Sequence, residues 1–405
     1  PGPCLARVGL GAFHTYRTAV EDQKRTGSRR ESASEASGAR TGGRRDAART
    51  QRPSKVTCAG QLQRIDNGAV GPVRFTGPVL CPSMSDADAR SETETDPVSP
   101  LAVDEAAELT TRIVDNVERV IVGHRDAVEH ILVALLSRGH LLLEDVPGVG
   151  KTMLARAVAT SLDGSFNRVQ FTPDLLPSDV TGVNVFNEKT REFEFQPGPV
   201  FANVVLGDEI NRAPPKTQAA LLEVMAEQQV TVDGRTHAVP DPFTVIATQN
   251  DVEPGQTYEL PVAEIDRFAK KIRLGYPSED EETELLGRLT GEHPIESLEP
   301  VASVHDVRRA RATASGVTVR EPVRAYVSRL ARYTREHARL GASPRGAIAL
   351  VRAAQVRAVF GGRSYVVPDD VQTEAPTVWG HRIRTESDVD GVTVVERALE
   401  DVAVE

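Results

Sequence analysis

Leu141, Leu142 and Leu143 form a short apolar run that leads into Asp145, Val146, Pro147, Gly148, Val149, Gly150, Lys151 and Thr152. The helical pattern Met153, Leu154, Ala155, Arg156, Ala157, Val158 follows. Strand, glycine-containing loop and helix in that order build a cradle for phosphate. Gly148 and Gly150 let backbone N–H groups turn inward at a helix N-terminus, where the helix dipole favours anions. Lys151 can reach β- and γ-phosphates, and Thr152 can hold Mg²⁺. The loop departs from the pattern G-x-x-x-x-G-K-[ST] at its first position, where Asp145 replaces glycine.

The 405 residues allow two or three domains, and the composition is globular, with 40% hydrophobic and 26% charged residues. No apolar run approaches the length needed to span a bilayer, and no charged segment followed by an apolar one opens the chain, so a cytoplasmic protein is expected. Residues 1–83 carry 14 basic and 6 acidic side chains, and the remainder carries 34 basic and 52 acidic ones. Residues 21–55 are rich in Arg, Ser, Gly and Ala without apolar periodicity, the composition of a disordered segment. The first methionine is Met84, so translation is expected to start there, with residues 1–83 an upstream extension of the gene model. The other reading is a basic arm for nucleic acid or an acidic partner. Cys4, Cys58 and Cys81 all precede Met84, which leaves no disulfide framework or cysteine chemistry for the rest. From Met84 onward five lysines stand against 29 arginines. An acidic, lysine-poor surface suits high salt, where self-repulsion is screened, and points to a halophilic source. It also argues against nonspecific DNA binding.

Residues 84–100 form an acidic leader. From Leu101 a helical spacing sets in at Ala106, Leu109, Ile113, Val117 and Val120, breaks at Ile121, Val122 and Gly123, and resumes at Ala127, Ile131, Leu132 and Leu135. Two more apolar runs follow: Val204–Gly207, ending in Asp208 and Glu209, and 243–248, ending in Gln249 and Asn250. Apolar strands separated by helical stretches imply a parallel sheet covered on both faces, with ligands beyond the carboxyl ends of the strands. One pocket can therefore collect the loop, the acidic pair and Asn250. Residues 101–275 are read as this α/β domain. Ser278 to Glu281 is a capping-box helix start. Residues 276–385 are read as a smaller all-α unit whose final helix starts at Pro368, and 386–405 as an acidic tail.

An acid at a strand end, Asp208, can bind Mg²⁺, and its neighbour Glu209 can polarise an attacking water as general base. Asn250 suits the orientation of water or a γ-phosphate. Arg267 and Arg345 could neutralise charge that builds on a transferring phosphoryl group. Among 29 arginines a surface ion pair suits either equally well. His124, His140, His237 and His381 show no metal-ligand spacing.

The stretches 143–152, 207–218, 247–250, 266–268 and 341–345, in that order, resemble the MoxR family of AAA+ ATPases, and the resemblance covers about residues 101–385. It implies a P-loop NTPase (AAA+) core with a parallel sheet, followed by an all-α lid. It also implies ATP and Mg²⁺ as cofactors. Lys151 and Thr152 match the phosphate and metal ligands, and Asp208 and Glu209 the Walker B pair with Glu209 as base. Asn250 matches sensor 1, Arg345 the sensor 2 of the lid, and Arg267 the arginine finger that acts on the neighbouring subunit's nucleotide. That role implies a homo-oligomeric ring, commonly a hexamer. Ile121, Val122 and Gly123 fall where the family contacts adenine, and Arg212 near the subunit interface. Residues 230–239, alternating around Asp233 and Gly234, resemble the pre-sensor-1 hairpin, and 171–200 the helix-2 insert; in related machines both face pore and substrate. Asp145 resembles a variant tolerated in the family, and Trp379 with Gly380 departs from its pattern. The resemblance implies chaperone-like remodelling of a client protein, with a von Willebrand factor A domain protein as partner. Three alternatives stay open: a metal-chelatase motor subunit, a nucleotide-gated binding module with negligible hydrolysis, and a DNA-directed motor, which the acidic core disfavours.

Overall fold

The computed structural model describes residues 98–144, 148–249, 258, 260–288, 294–386 and 389–404. Two helices open the described chain, α1 (Val103–Glu118) and α2 (Arg125–Leu136), and Ala106, Leu109, Ile113 and Val117 form the buried stripe of α1 as their spacing predicts. Then come β1 (Leu141–Glu144), α3 (Lys151–Ser161), β2 (Phe166–Gln170), α4 (Pro177–Thr181), and the pair β3 (Gly182–Asn187) and β4 (Glu192–Pro197). β5 (Val204–Asp208), α5 (Pro215–Glu227), the pair β6 (Gln229–Val232) and β7 (Arg235–Ala238), β8 (Thr244–Gln249), α6 (Val262–Ile265) and β9 (Lys270–Ile272) complete the α/β part.

Five strands form one parallel sheet in the order β2-β5-β8-β1-β9. Side chains alternate across a strand, so each strand feeds two cores. Leu141, Leu143, Val204, Leu206 and Ile246 face the side packed by α1, α2 and α3. Leu142, Val205, Val245 and Ala247 face the side packed by α5. Burial on both faces is why these strands read as unbroken apolar runs.

α7 (Glu279–Arg288) starts at the expected capping box, in which the backbone N–H of Ser278 donates to Glu281 Oε2 at 2.7 Å. The helical part follows as α8 (Val304–Gly316), α9 (Glu321–His337), α10 (Pro344–Phe360), α11 (Pro368–Trp379) and α12 (Gly391–Asp401). α10 packs on α1 and α2, and α11 on β9. Trp379, the departure from the family pattern, is fully buried, and its indole N–H donates to Gly346 O at 2.9 Å.

The seam between the two parts is ionic as well as apolar. Lys270 on β9 is fully buried and pairs with Glu374 on α11, also fully buried. Arg357 on α10 bridges Glu374 and Glu129 of α2, at 2.7 Å each. Lys270 Nζ lies 2.6 Å from His130 Nδ1. Burial pulls the Lys270 ammonium below its ordinary value, and the attraction of Glu374 opposes that shift.

The structure corrects one reading. Residues 386–405 are not a plain acidic tail, and α11 is not the last helix. Val394, Val395 and Ala398 of α12 are buried, and the helix packs on α9 and α11. Its i, i+1, i+4 stripe is short and set among Glu396, Glu400 and Asp401, so charge hides the periodicity.

Candidate nucleotide site

β5, β8 and β1 are neighbours in the sheet and parallel, so the segments that follow them leave from one edge. β1 ends in Glu144, paired with Lys271 and, at 2.5 Å, with Arg273. Burial alone would raise the Glu144 carboxyl, but hydrogen bonds and charge from Lys271 and Arg273 outweigh it and hold the group below the usual carboxylate range. Beyond Glu144, Asp145, Val146 and Pro147 lie outside the described residues, as does Asn250 after β8. Gly148 and Gly150 have φ +92° and +85°, left-handed values that glycine adopts without strain. A Cβ built on either would meet nothing within 4 Å among the described residues. Gly150 caps α3, which puts Lys151, Thr152 and Met153 in its first turn, after Val149. An 11-residue helix directs its unsatisfied N–H groups toward that loop.

The acidic pair ends β5. Asp208 Oδ1 accepts from Thr248 Oγ1 at 2.7 Å, and Asp208 Oδ2 pairs with Arg168 at 2.6 Å. Glu209 is held at φ 56° and ψ 50°, a left-handed conformation that costs a non-glycine residue about 1–3 kcal/mol. Its N–H donates to Thr248 Oγ1 at 2.9 Å, so one hydroxyl fixes both acids. Glu209 Oε2 accepts from Gln170 Nε2 at 2.8 Å and from Arg212 at 2.9 Å. Thr248, Arg168 and Gln170 were not singled out from the sequence. Thr248 is a buried polar residue ending an apolar strand, a usable signal. Arg168 and Gln170 sit on a strand without apolar alternation, and only the register Gln170 opposite Asp208 brings them to the acids.

Ile121 and Val122 are buried, and Gly123 has φ +79°. A Cβ on Gly123 would lie 2.3 Å from Glu281 Cδ, so this segment meets the capping box of α7.

Arg267 lies elsewhere. β1 and β9 are parallel with Leu141 opposite Lys270, so residues before 270 lie where β1 begins, whereas the phosphate loop follows its end. Four strand residues separate those edges by about 13 Å. Arg267 donates to Leu222 O at 2.7 Å and lines a groove of about 540 Å³ with Glu223, Glu227 and Glu264. Its neighbour Asp266 accepts from Arg382 at 2.8 Å and from Ser343 at 3.2 Å. Arg345, two residues after Ser343, is exposed in the first turn of α10. Burial, and after the opposing attraction of Asp266 the charge of Arg345, lower the Arg382 guanidinium. The segments that carry the two arginines thus meet through Asp266, which holds Ser343 and Arg382.

The expected hairpin is present, and a second strand pair lies within the stretch read as the helix-2 insert. β6 and β7 pair antiparallel around Asp233 (φ 49°) and Gly234 (φ 79°), the two positive values of a type I′ turn. β3 and β4 pair beside them, tied by Asn184 to Asp233 at 2.7 Å and by Phe195 stacked on His237. Phe186 and Phe193 form an exposed aromatic pair on β3 and β4. His140 and His381 are buried and hydrogen-bonded, and no cluster of three or more metal-ligating side chains occurs among the described residues. No helix among them is long and apolar enough to cross a membrane.

A five-stranded parallel sheet with a phosphate loop, an acidic pair on a neighbouring strand and a helical lid defines an AAA-type ATPase fold. The sequence model of the ATPase family associated with various cellular activities (AAA) matches residues 140–270, and that of the AAA lid domain residues 330–402. Chaperone MoxR1 of Mycobacterium tuberculosis is 42% identical over 317 residues, covering 74% of this chain and 84% of the relative. The uncharacterised protein YeaC of Bacillus subtilis is 52% identical over 277 residues, 68% of this chain and 87% of the relative. Protein MoxR of Methylorubrum extorquens is 36% identical over 293 residues, 66% and 85% of the two chains. A crystal structure of a candidate ATPase from Cytophaga hutchinsonii superposes with TM-score 0.71 at 36% identity, over 75% of this chain and 97% of the other. The chain belongs to the MoxR family of AAA+ ATPases.

Proposed function

We propose that the chain is a Mg²⁺-dependent ATP hydrolase that works in a ring, commonly a hexamer, and remodels or matures a partner protein. The observation that carries this reading is the tie made by Thr248, which fixes both acids of β5 beside the edge from which the phosphate loop leaves. The donor set suits a divalent cation. Thr152 offers a hydroxyl in the first turn of α3, and Asp208 a carboxylate whose Oδ2 already carries a cationic group, Arg168. Bound there with ATP, Mg²⁺ would neutralise phosphate charge.

In this reading Gly148 to Thr152 hold the phosphates through backbone N–H groups, and Lys151 pairs with the β- and γ-phosphates. Glu209 takes the proton of the attacking water, for which Gln170 must first release it. Asn250 orients that water. The backbone of Ile121 to Gly123 borders the base. Arg345 reports from the lid, and Arg267, set before β9 on the edge where β1 begins, serves the nucleotide of the adjoining subunit, which makes assembly a condition of turnover. The aromatic pair Phe186 and Phe193 faces the client, and a von Willebrand factor A domain protein is the expected partner. The relative named as a chaperone supports this direction.

Removing the base isolates chemistry from binding. Glu209→Gln is expected to lower kcat by about 10²–10⁴-fold with nucleotide affinity kept, and Lys151→Ala to lose affinity. Steady-state ATP turnover and equilibrium binding of a fluorescent ATP analogue check both. Equal turnover in wild type and Glu209→Gln overturns the reading.

A further inference from the structure

A cationic side chain occupies the carboxylate oxygen that the proposed reading gives to a divalent cation. Arg168 Nη2 lies 2.6 Å from Asp208 Oδ2 and 2.9 Å from Gln170 Oε1. An amide has one acceptor oxygen and one donor nitrogen, so turning its oxygen to Arg168 turns its NH₂ the other way. That NH₂ donates to Glu209 Oε2 at 2.8 Å. One chain of contacts, Asp208 to Arg168 to Gln170 to Glu209, therefore spans both acids. Asp208 Oδ1 is taken by Thr248, so Oδ2 is the oxygen open to exchange. A guanidinium and a divalent cation repel each other across the few ångströms that would separate them on one oxygen.

We infer that Arg168 is a displaceable place-holder at Asp208, a positioning residue that couples cation arrival to the freeing of Glu209. This rests on the assignment of Asp208 as a metal ligand. Arg168 is 47% exposed whereas Asp208 is 14% exposed, so the arginine is the partner able to leave, swinging its long stem into water. Its departure takes the donor from Gln170 Oε1. The Gln170 amide is then free to turn, and Glu209 keeps only Arg212 of these contacts. Without a cation both acids stay engaged, which keeps the base from water.

The test is a Mn²⁺ titration of the full chain with a non-hydrolysable ATP analogue, read by the electron paramagnetic resonance of free Mn²⁺. Arg168→Ala is expected to bind Mn²⁺ about two- to fivefold more tightly than wild type, the range of a half-exposed ion pair removed as competitor. In an Asp208→Asn background the same substitution is expected to change nothing. Arg168→Lys, which keeps the charge, stays near wild type, and Arg168→Gln repeats the alanine result should that variant fold poorly. Equal or weaker Mn²⁺ binding by Arg168→Ala overturns the place-holder. So does a gain that persists in Asp208→Asn, since it would report charge acting at a distance. Wild-type protein that binds neither the analogue nor Mn²⁺ overturns the ATPase reading together with it.

Discussion

His140 lies in the core with both ring nitrogens engaged. Nδ1 accepts from the N–H of Val245, and Nε2 donates to Met225 O, both at 3.0 Å. Only the neutral ring can do both, and burial holds its pKa down to about 4. The unfolded chain takes up that proton near the ordinary histidine value of 6.5, so between 6.5 and 4 it binds more protons than the folded chain. The contribution is whole above pH 6.5 and fades as pH falls through that window, a loss of about 3 kcal/mol in full. His130, lowered to about 3 by burial and then by Lys270, acts in the same direction. Urea unfolding at pH 7.5 and 5 should show the decline, with a smaller one in His140→Gln. The tautomer of His140 is written in β8 and α5, far along the chain. The same holds around the acids. Asp208 and Glu209 are legible because they end an apolar run, whereas Arg168 and Gln170 become meaningful only through strand register.

Among the elements, β9 and α11 are joined by charges that left no mark in the sequence. Lys270 and Glu374 sit 104 residues apart, and each alone reads as a surface residue. Glu374→Ala would leave Lys270 buried, and Arg357 half-buried, without their common carboxylate. That should cost about 3–5 kcal/mol, measured as a shift of the urea midpoint. Removing Arg332, paired with Glu336 on the exposed face of α9, should leave the midpoint almost where it is. The hairpin β6–β7 was legible because a type I′ turn demands residues such as Asp233 and Gly234. α12 was not, because three buried apolar residues among acids do not rise above the charge pattern.

At the scale of the whole molecule, the proposed role of Arg267 on an adjoining subunit's nucleotide makes a definite demand on assembly. Arg267→Ala and Glu209→Gln, each inactive alone, should regain part of the ATP turnover when mixed and reassembled. A site formed by Glu209 of one variant and Arg267 of the other lacks nothing. Turnover against mixing ratio checks this, and a flat line near zero would return Arg267 to a purely structural role.

The lid holds the segment that carries this arginine. Arg382 and His381 bond to Phe268 O at 2.6 and 3.1 Å, and Arg382 also grips Asp266. A tilt of the lid therefore drags Arg267 along as a lever drags its pin. Were subunits to close into the ring proposed above, each one's posture would reach its neighbour's nucleotide.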